Sequence, residues 1–445
     1  MKLRTFLCLL MLAAMTLPAP SSCAVTLEEA LQRTVEKNPA IQSAKLDLER
    51  ASGQRLVLRA IGLPDAVIGA AGGDQGGHRA GEKNNQPFGF GYGGITQALF
   101  NAAIPASRRR GDIEVLIAEQ RLNMAMIEQL HTARVAYYTG AYNRALKKLS
   151  EEQHQHLQGI SDSQNARYQA GLTQRSVFIG AEMQTRELEP RIEAADRAYE
   201  GAALQLAEIM ADDLTGRYPL PKLESELVYQ PLDFDVASAT AAAMKNRADL
   251  TLARLVLRAS REDERIMEAA YYPTINGVIS GEYIPVSGVR RQSEGGPRRS
   301  DDIISSEIRE GVAYTWRVID NGKVYGAVAQ RRSAREINEL LLQRMESDIP
   351  RDLARIRNNL QAIAKNHTSL AQATTAAEQT AMTANENVAG GISSQLESRL
   401  AENASLEVKT GLLNLAYQQS LARAELDRVI GRYVQFSDER ATNMR

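Results

Sequence analysis

Cysteine is almost missing from this chain. The only two, Cys8 and Cys23, fall within the first two dozen residues, so the body of the protein has no material for a disulfide framework or thiol chemistry. Aromatic residues make up 5% of the sequence, with a single tryptophan, Trp316, which is thin for a packed globular enzyme. Charge of one sign is not in excess: 53 Lys and Arg stand against 54 Asp and Glu. That balance argues against nucleic acid as a partner, since such proteins are normally basic. Past the N-terminus, no apolar run is long enough for a membrane-spanning helix, so any crossing of a bilayer falls to strands. The five histidines, His78, His131, His154, His156 and His367, show no ligand spacing, and no metal site is expected. The glycine-rich tract at 69–94 lacks GxxxxGK and opens no helix, and GxSxG and HExxH are absent. No catalytic residue and no cofactor is expected; only chain length speaks for an enzyme.

What is present begins with a leader. Lys2 and Arg4 precede the apolar run 6–17, then Pro18, Pro20 and the small residues Ser22, Cys23 and Ala24. This is the pattern of a secretory signal peptide spanning 1–24, with Val25 as the mature start. Cys23 after Ser22 partly fits a lipoprotein signal, although Pro20 stands where an aliphatic residue is favoured, so lipidation at Cys23 is a second reading.

The second half of the chain repeats the first. Ala30 to Pro64 resembles Ala239 to Pro273 at a shift of 209: Ile41 matches Leu250, Ala44 matches Ala253, and Leu46 and Leu48 match Leu255 and Leu257. Each copy reads as an amphipathic helix stopped by a proline. Two strand–loop–strand segments follow, 66–72 with 88–95 and 274–283 with 310–318, around polar loops at 73–87 and 284–307. The second loop carries Arg290, Arg291, Arg298 and Arg299, which fit either anionic surface lipid or plain solvent. Trp316 and the pair Tyr271 and Tyr272 flank the second strand pair, as interfacial anchors or as packing below the strands.

Helical texture then returns. Ile113, Leu116, Ile117, Met124, Ile127, Leu130, Ala133 and Tyr137 recur at threes, fours and sevens, and a helix of this length runs on the order of 100 Å. A shift of 219 carries Thr96–Asn101 onto Thr315–Asp320 and Ala170–Gly171 onto Ala389–Gly390. The helix ends near 211 and 431 align at 220 instead, which places one inserted residue after the second turn. The expected organisation is a first repeat at 25–212, a linker at 213–232, a second repeat at 233–432 and a tail at 433–445.

Four short strands cannot close a barrel, and an open sheet edge is not tolerated in lipid. Three copies would supply twelve strands, continued by a tube of helical hairpins: a duct. The alternative is a periplasmic coiled-coil scaffold or adaptor without a pore, favoured by the glycines that weaken the first strand pair.

Several signatures carry a resemblance: Thr26–Leu31 leading to Asn38–Pro39, Asn246–Leu250, Pro64 and Pro273 before the strands, Asp320–Lys323, Tyr168–Leu172, and Leu412–Tyr417 leading to Ala424–Asp427. In that order and duplication the chain resembles the TolC-like outer-membrane efflux protein family over residues 25 to 432. The resemblance implies a mainly α fold with a small β part, in which long α-helical hairpins form a periplasmic barrel and four β-strands per chain join a 12-stranded trimeric outer-membrane β-barrel. It implies a homotrimer in outer-membrane lipid, docked to a periplasmic adaptor and served by an inner-membrane transporter. Carried over residue by residue, the adaptor-docking tips are Ala170, Gly171 and Leu172, and Ala389, Gly390 and Gly391, the second departing from the usual pattern by its doubled glycine. Glu397 and Glu402 are the nearest candidates for carboxylates that close the periplasmic aperture; as solvated charges on a long helix they would need no such role.

Overall fold

The computed structural model describes residues 24–76, 85–212, 220–223, 226–287 and 305–433. The leader through Cys23, most of both polar loops with the four loop arginines and His78, part of the linker and the tail beyond Tyr433 lie outside the described residues. The chain forms two compact units. One comprises 1–45, 122–248 and 346–445, the other 46–121 and 249–345.

The elements follow the repeat. The first half contains β1 (Ala24–Val25), α1 (Leu27–Lys37), α2 (Pro39–Ala60), β2 (Asp65–Gly76), β3 (Asn85–Phe100), α3 (Ala103–Gln169) and α4 (Arg175–Ile209). After β4 (Lys222–Leu223) come α5 (Val236–Asn246), α6 (Ala248–Glu268), β5 (Thr274–Ser287), β6 (Ser305–Thr315), α7 (Lys323–Ala389) and α8 (Gln395–Ile430).

The strands are longer than the sequence pattern suggests. They pair antiparallel in the order β2-β3-β5-β6, leaving β2 and β6 as edges. Alternation along a strand sorts side chains to two faces, and the ladder extends that sorting across the sheet. Ile68 aligns with Gly93, Gly281 and Ile308, while Ile95 aligns with Ile279 and Glu310. This face therefore carries Ile68, Ile95, Ile279, Ile308 and Val312, all of them exposed, with Glu310 as a charge in its middle and Asp74 as one near the end of β2. The opposite face carries Asp65, Thr96, Ser280, Glu282, Glu307 and Arg309. There Arg309 donates through Nε and Nη2 to both oxygens of Glu307, at 2.8 and 2.7 Å. Glycine within β2 has a packing reason: a Cβ on Gly69 would lie 2.3 Å from the ring of Tyr92, its cross-strand partner. The ladder ends at Thr315; Trp316 and Val318, expected in the strand, lie in the connection that follows, where Trp316 Nε1 donates to the Tyr271 carbonyl at 3.2 Å.

In the same unit Ile113 and Ile117 of α3 pack against Leu255 and Ala259 of α6. Buried carboxylates are each held by two arginines, Glu262 by Arg109 and Arg265, and Glu264 by Arg332 and Arg335. A buried ion needs such pairing to offset its desolvation.

The other unit centres on Tyr137, Leu206, Met210 and Leu223, all fully buried, with Val25 and Ala133. The Tyr137 hydroxyl donates to the Val25 carbonyl at 3.2 Å, and β1 pairs parallel with β4. Thr26 caps α1, accepting from the Glu29 amide. The helix expected over 30–64 is broken at Asn38, because Pro39 cannot donate and disfavours helix in the residue before it. Asn38 uses the break: its Oδ1 accepts from the Ala40 amide at 2.9 Å, and its Nδ2 donates to the Ile209 carbonyl at 2.8 Å and to Gln129 at 3.0 Å.

The two long helices, α3 and α7, each contain 67 residues, and their first and last residues correspond at a shift of 220. The extra residue of the second repeat therefore sits before α7, not after the second turn. The bend Asp320–Gly322 absorbs it: Asn321 and Gly322 both take positive φ, 53° and 81°, and Asp320 fastens the bend by accepting from the Gly322 and Val324 amides.

Candidate functional site

Two helical turns and one polar cluster in the first unit make up the candidate site. At the first turn the Gly171 amide donates to the Tyr168 carbonyl at 2.9 Å and the Leu172 amide to the Arg167 carbonyl at 2.8 Å. This is a Schellman ending, whose left-handed position Gly171 fills at φ 75°. The second turn is the same structure 220 residues on. Gly391 donates to Val388 and Ile392 to Asn387, and Gly391 takes φ 73°. The residues equivalent to Ala170, Gly171 and Leu172 are thus Gly390, Gly391 and Ile392, and Ala389 is the last residue of α7. Both turns hold out one aliphatic side chain after the glycine, Leu172 at 71% exposed and Ile392 at 81%.

The turns differ in how the returning helix starts. Gln174 caps α4 without a side-chain hydrogen bond. Ser394 caps α8 in a reciprocal box with Glu397, worth about 1 kcal/mol over an uncapped start. The exposed Glu397 carboxylate also accepts from the Ser393 hydroxyl, and these hydrogen bonds, the Ser393 one first, hold its pKa below the usual carboxylate value.

Glu402, one of the two aperture candidates, is 6% exposed. Its Oε1 lies 2.6 Å from His156 Nε2 on α3 and accepts from Asn385 Nδ2 on α7 at 2.8 Å. Asn385 in turn accepts from the Ser398 hydroxyl. Arg399, beside Ser398, is buried, and burial lowers its pKa against the raising effect of Glu402. Arg399 Nε and Nη2 and Glu402 Oε2 have no hydrogen-bond partner among the described residues. The cluster brings Glu402 together with His156, Asn385, Ser398 and Arg399, four residues to which the sequence assigns no role. The one signal available was polar residues on helix faces otherwise lined with alanine and leucine.

No group of three or more His, Cys, Asp or Glu placed to hold a metal occurs among the described residues, and none of their helices is long and apolar enough to cross a membrane.

Paired long helical hairpins, together with a four-stranded sheet apolar on one face, define a class: outer-membrane channel proteins with a helical periplasmic extension. The family model for outer membrane efflux proteins matches residues 30–212 and 240–432. The chain belongs to the outer membrane efflux protein family, and its place is the outer membrane. Among solved structures it is similar to the Campylobacter jejuni CmeC outer membrane channel, with a TM-score of 0.77 at 14% identity, over 97% of this chain and 93% of that one. It is similar to the outer membrane protein VceC of Vibrio cholerae, with a TM-score of 0.75 at 17% identity over 91% and 96%. The open state of the Neisseria gonorrhoeae MtrE outer membrane channel gives a TM-score of 0.73 at 17% identity over 91% and 88%. No curated protein matches the sequence.

Proposed function

We propose that this protein is the exit duct of a tripartite efflux or type I secretion system: a passive homotrimeric conduit that docks to a periplasmic adaptor and receives cargo from an inner-membrane transporter. The observation that carries this reading is the sheet. It has an apolar face, a polar face and two unpaired edges, β2 and β6. Backbone groups at such edges must be paired in hydrocarbon. Further copies of the same sheet supply that pairing, and three give the twelve strands of a closed barrel with the apolar face outward. The strands hold 11 to 16 residues, enough to cross a bilayer, which takes about 9 to 11 tilted residues. A scaffold without a pore gives no use for them.

In this reading the two repeats, 25–212 and 233–432, are joined by the linker 213–232, and the turns carrying Leu172 and Ile392 meet the adaptor. Glu397, exposed beside the second turn, is placed to line the aperture. Glu402 acts instead from within, by tying α8 to α3 and α7. Fractionation tests the proposal: the expected result is a heat-modifiable trimer in the outer membrane that is cross-linked to an adaptor through a photoreactive residue at Leu172 or Ile392. A soluble periplasmic monomer would count for the scaffold.

A further inference from the structure

We infer that the first unit contains a binding site for a small amphipathic organic anion, independent of the duct. A cavity of about 620 Å³ lies between α3 and α8, roofed by the extended segment 226–229. That volume is in the range that holds drug-sized ligands, roughly 300–1,000 Å³. Its floor is apolar, built by Ala145 and Leu149 of α3 and by Leu412 and Leu413 of α8. The roof is fixed in place by its next residue. The Gln230 amide donates to Gln419 Oε1 at 3.1 Å, and Arg423 donates to Gln230 Oε1 at 2.8 Å. At one end Tyr229 stacks on His367, with ring centroids 3.7 Å apart and planes within 11°.

The groups that would take an anion are on α3. Arg144 and Lys148, one helical turn apart on α3, line the cavity, and neither has an ion-pair partner among the described residues. Lys409, also at the wall, is already held by Glu378 at 2.8 Å. Two carboxylates line the cavity as well: Glu226, exposed on the roof, and Glu152, toward the end shared with a smaller cavity that Lys409 also lines. Each of the two unengaged cations directly precedes a floor residue on the same helix, Arg144 before Ala145 and Lys148 before Leu149. An apolar body laid on the floor would bring a carboxylate or sulfonate to Arg144 and Lys148. Charge-assisted hydrogen bonds are the stronger ones, here weakened by water because both cations are exposed.

Titration of the purified full-length protein by calorimetry tests the site with two probes of one shape and opposite charge, naphthalene-2-sulfonate and 2-naphthylmethylammonium. Saturable binding of the sulfonate alone is expected. It should weaken at least tenfold in R144Q/K148Q, and also in A145W, which fills the floor and leaves both cations in place. Equal binding of the ammonium probe, no binding of either, or sulfonate binding unchanged in both variants would overturn the inference. The oligomeric state of each variant is measured alongside, so that a failure of the duct reading remains a separate result.

Discussion

Nε2 of His156 lies 2.6 Å from Oε1 of Glu402, 246 residues further along the chain, and this contact ties the second hairpin to the first inside one unit. Glu402→Ala removes the shared acceptor of His156 and Asn385; both are exposed and can turn to water, so the loss is that of the hydrogen bonds, about 1 kcal/mol. Glu402→Gln keeps an Oε1 that can accept from both, so it should lose less. Thermal unfolding midpoints should rank wild type, E402Q and E402A in falling order; equal midpoints for the two variants would contradict the contact.

The glycines of the second turn make a sharper pair. Gly391→Ala forces a left-handed residue to carry a Cβ, costing about 1–2 kcal/mol. Gly390→Ala meets no atom closer than 3.6 Å and has no positive φ, so it should fall within about 0.5 kcal/mol of wild type. Denaturation of the two variants separates them, and the reverse order would restore the 219-residue register.

Gly431 and Ala211 are equivalent at the ends of α8 and α4, and both take positive φ, 78° and 53°. A Cβ on Gly431 would come within 2.9 Å of the Asn246 carbonyl. Gly431→Ala should therefore destabilise more than Gly391→Ala, while Ala211→Gly should be neutral or stabilising, by up to about 1 kcal/mol. The same unfolding series reads both.

Neighbouring residues on β5 should behave oppositely. Ile279→Lys puts a charge on the apolar face, at a cost of about 2–4 kcal/mol if that residue sits near the bilayer midplane. Ser280→Lys points to the polar face and should be tolerated. The yield of heat-modifiable oligomer in isolated outer membranes measures the difference. Glu310→Leu, which removes the charge beside Ile279 from the apolar face, should not reduce that yield.

Tyr433 closes the end of the second repeat. Its hydroxyl donates to the Ala424 carbonyl and lies 3.2 Å from His131 Nδ1, and its ring lies under the Arg134 guanidinium. Burial raises its pKa to about 12, against the lowering effect of Arg134. The folded state therefore holds this proton more tightly than the unfolded chain does. The stability this adds is complete below pH 10 and is lost as pH rises through 12. For His131 burial acts the other way and lowers the pKa, so its share is present above about pH 6.5 and is lost as the pH falls below that value. Tyr433→Phe should flatten the alkaline limb of a stability–pH profile, and a profile unchanged from wild type would contradict the burial.

Much of this was legible in the sequence, for physical reasons that can be named. The repeat, the prolines at 64 and 273, and the apolar spacing along 113–137 each act locally, and local rules read them. The inserted residue was not legible. Ala170–Gly171 matches Ala389–Gly390 letter for letter, while the backbone selects Gly391, because the spare residue is absorbed earlier by the left-handed pair Asn321 and Gly322. Strand lengths were underread because glycine and alanine in β2 and β3 dilute the alternation that marks a strand. The environment of Glu402 depends on His156 and Asn385, which no spacing rule connects to it.

The central claim is that several copies close one pore, and the mass of the purified protein in detergent, taken together with its current across a planar lipid film, tests it most directly. The account predicts a particle of three chains and stepwise ionic conductance. A stable single chain that carries no current would contradict it.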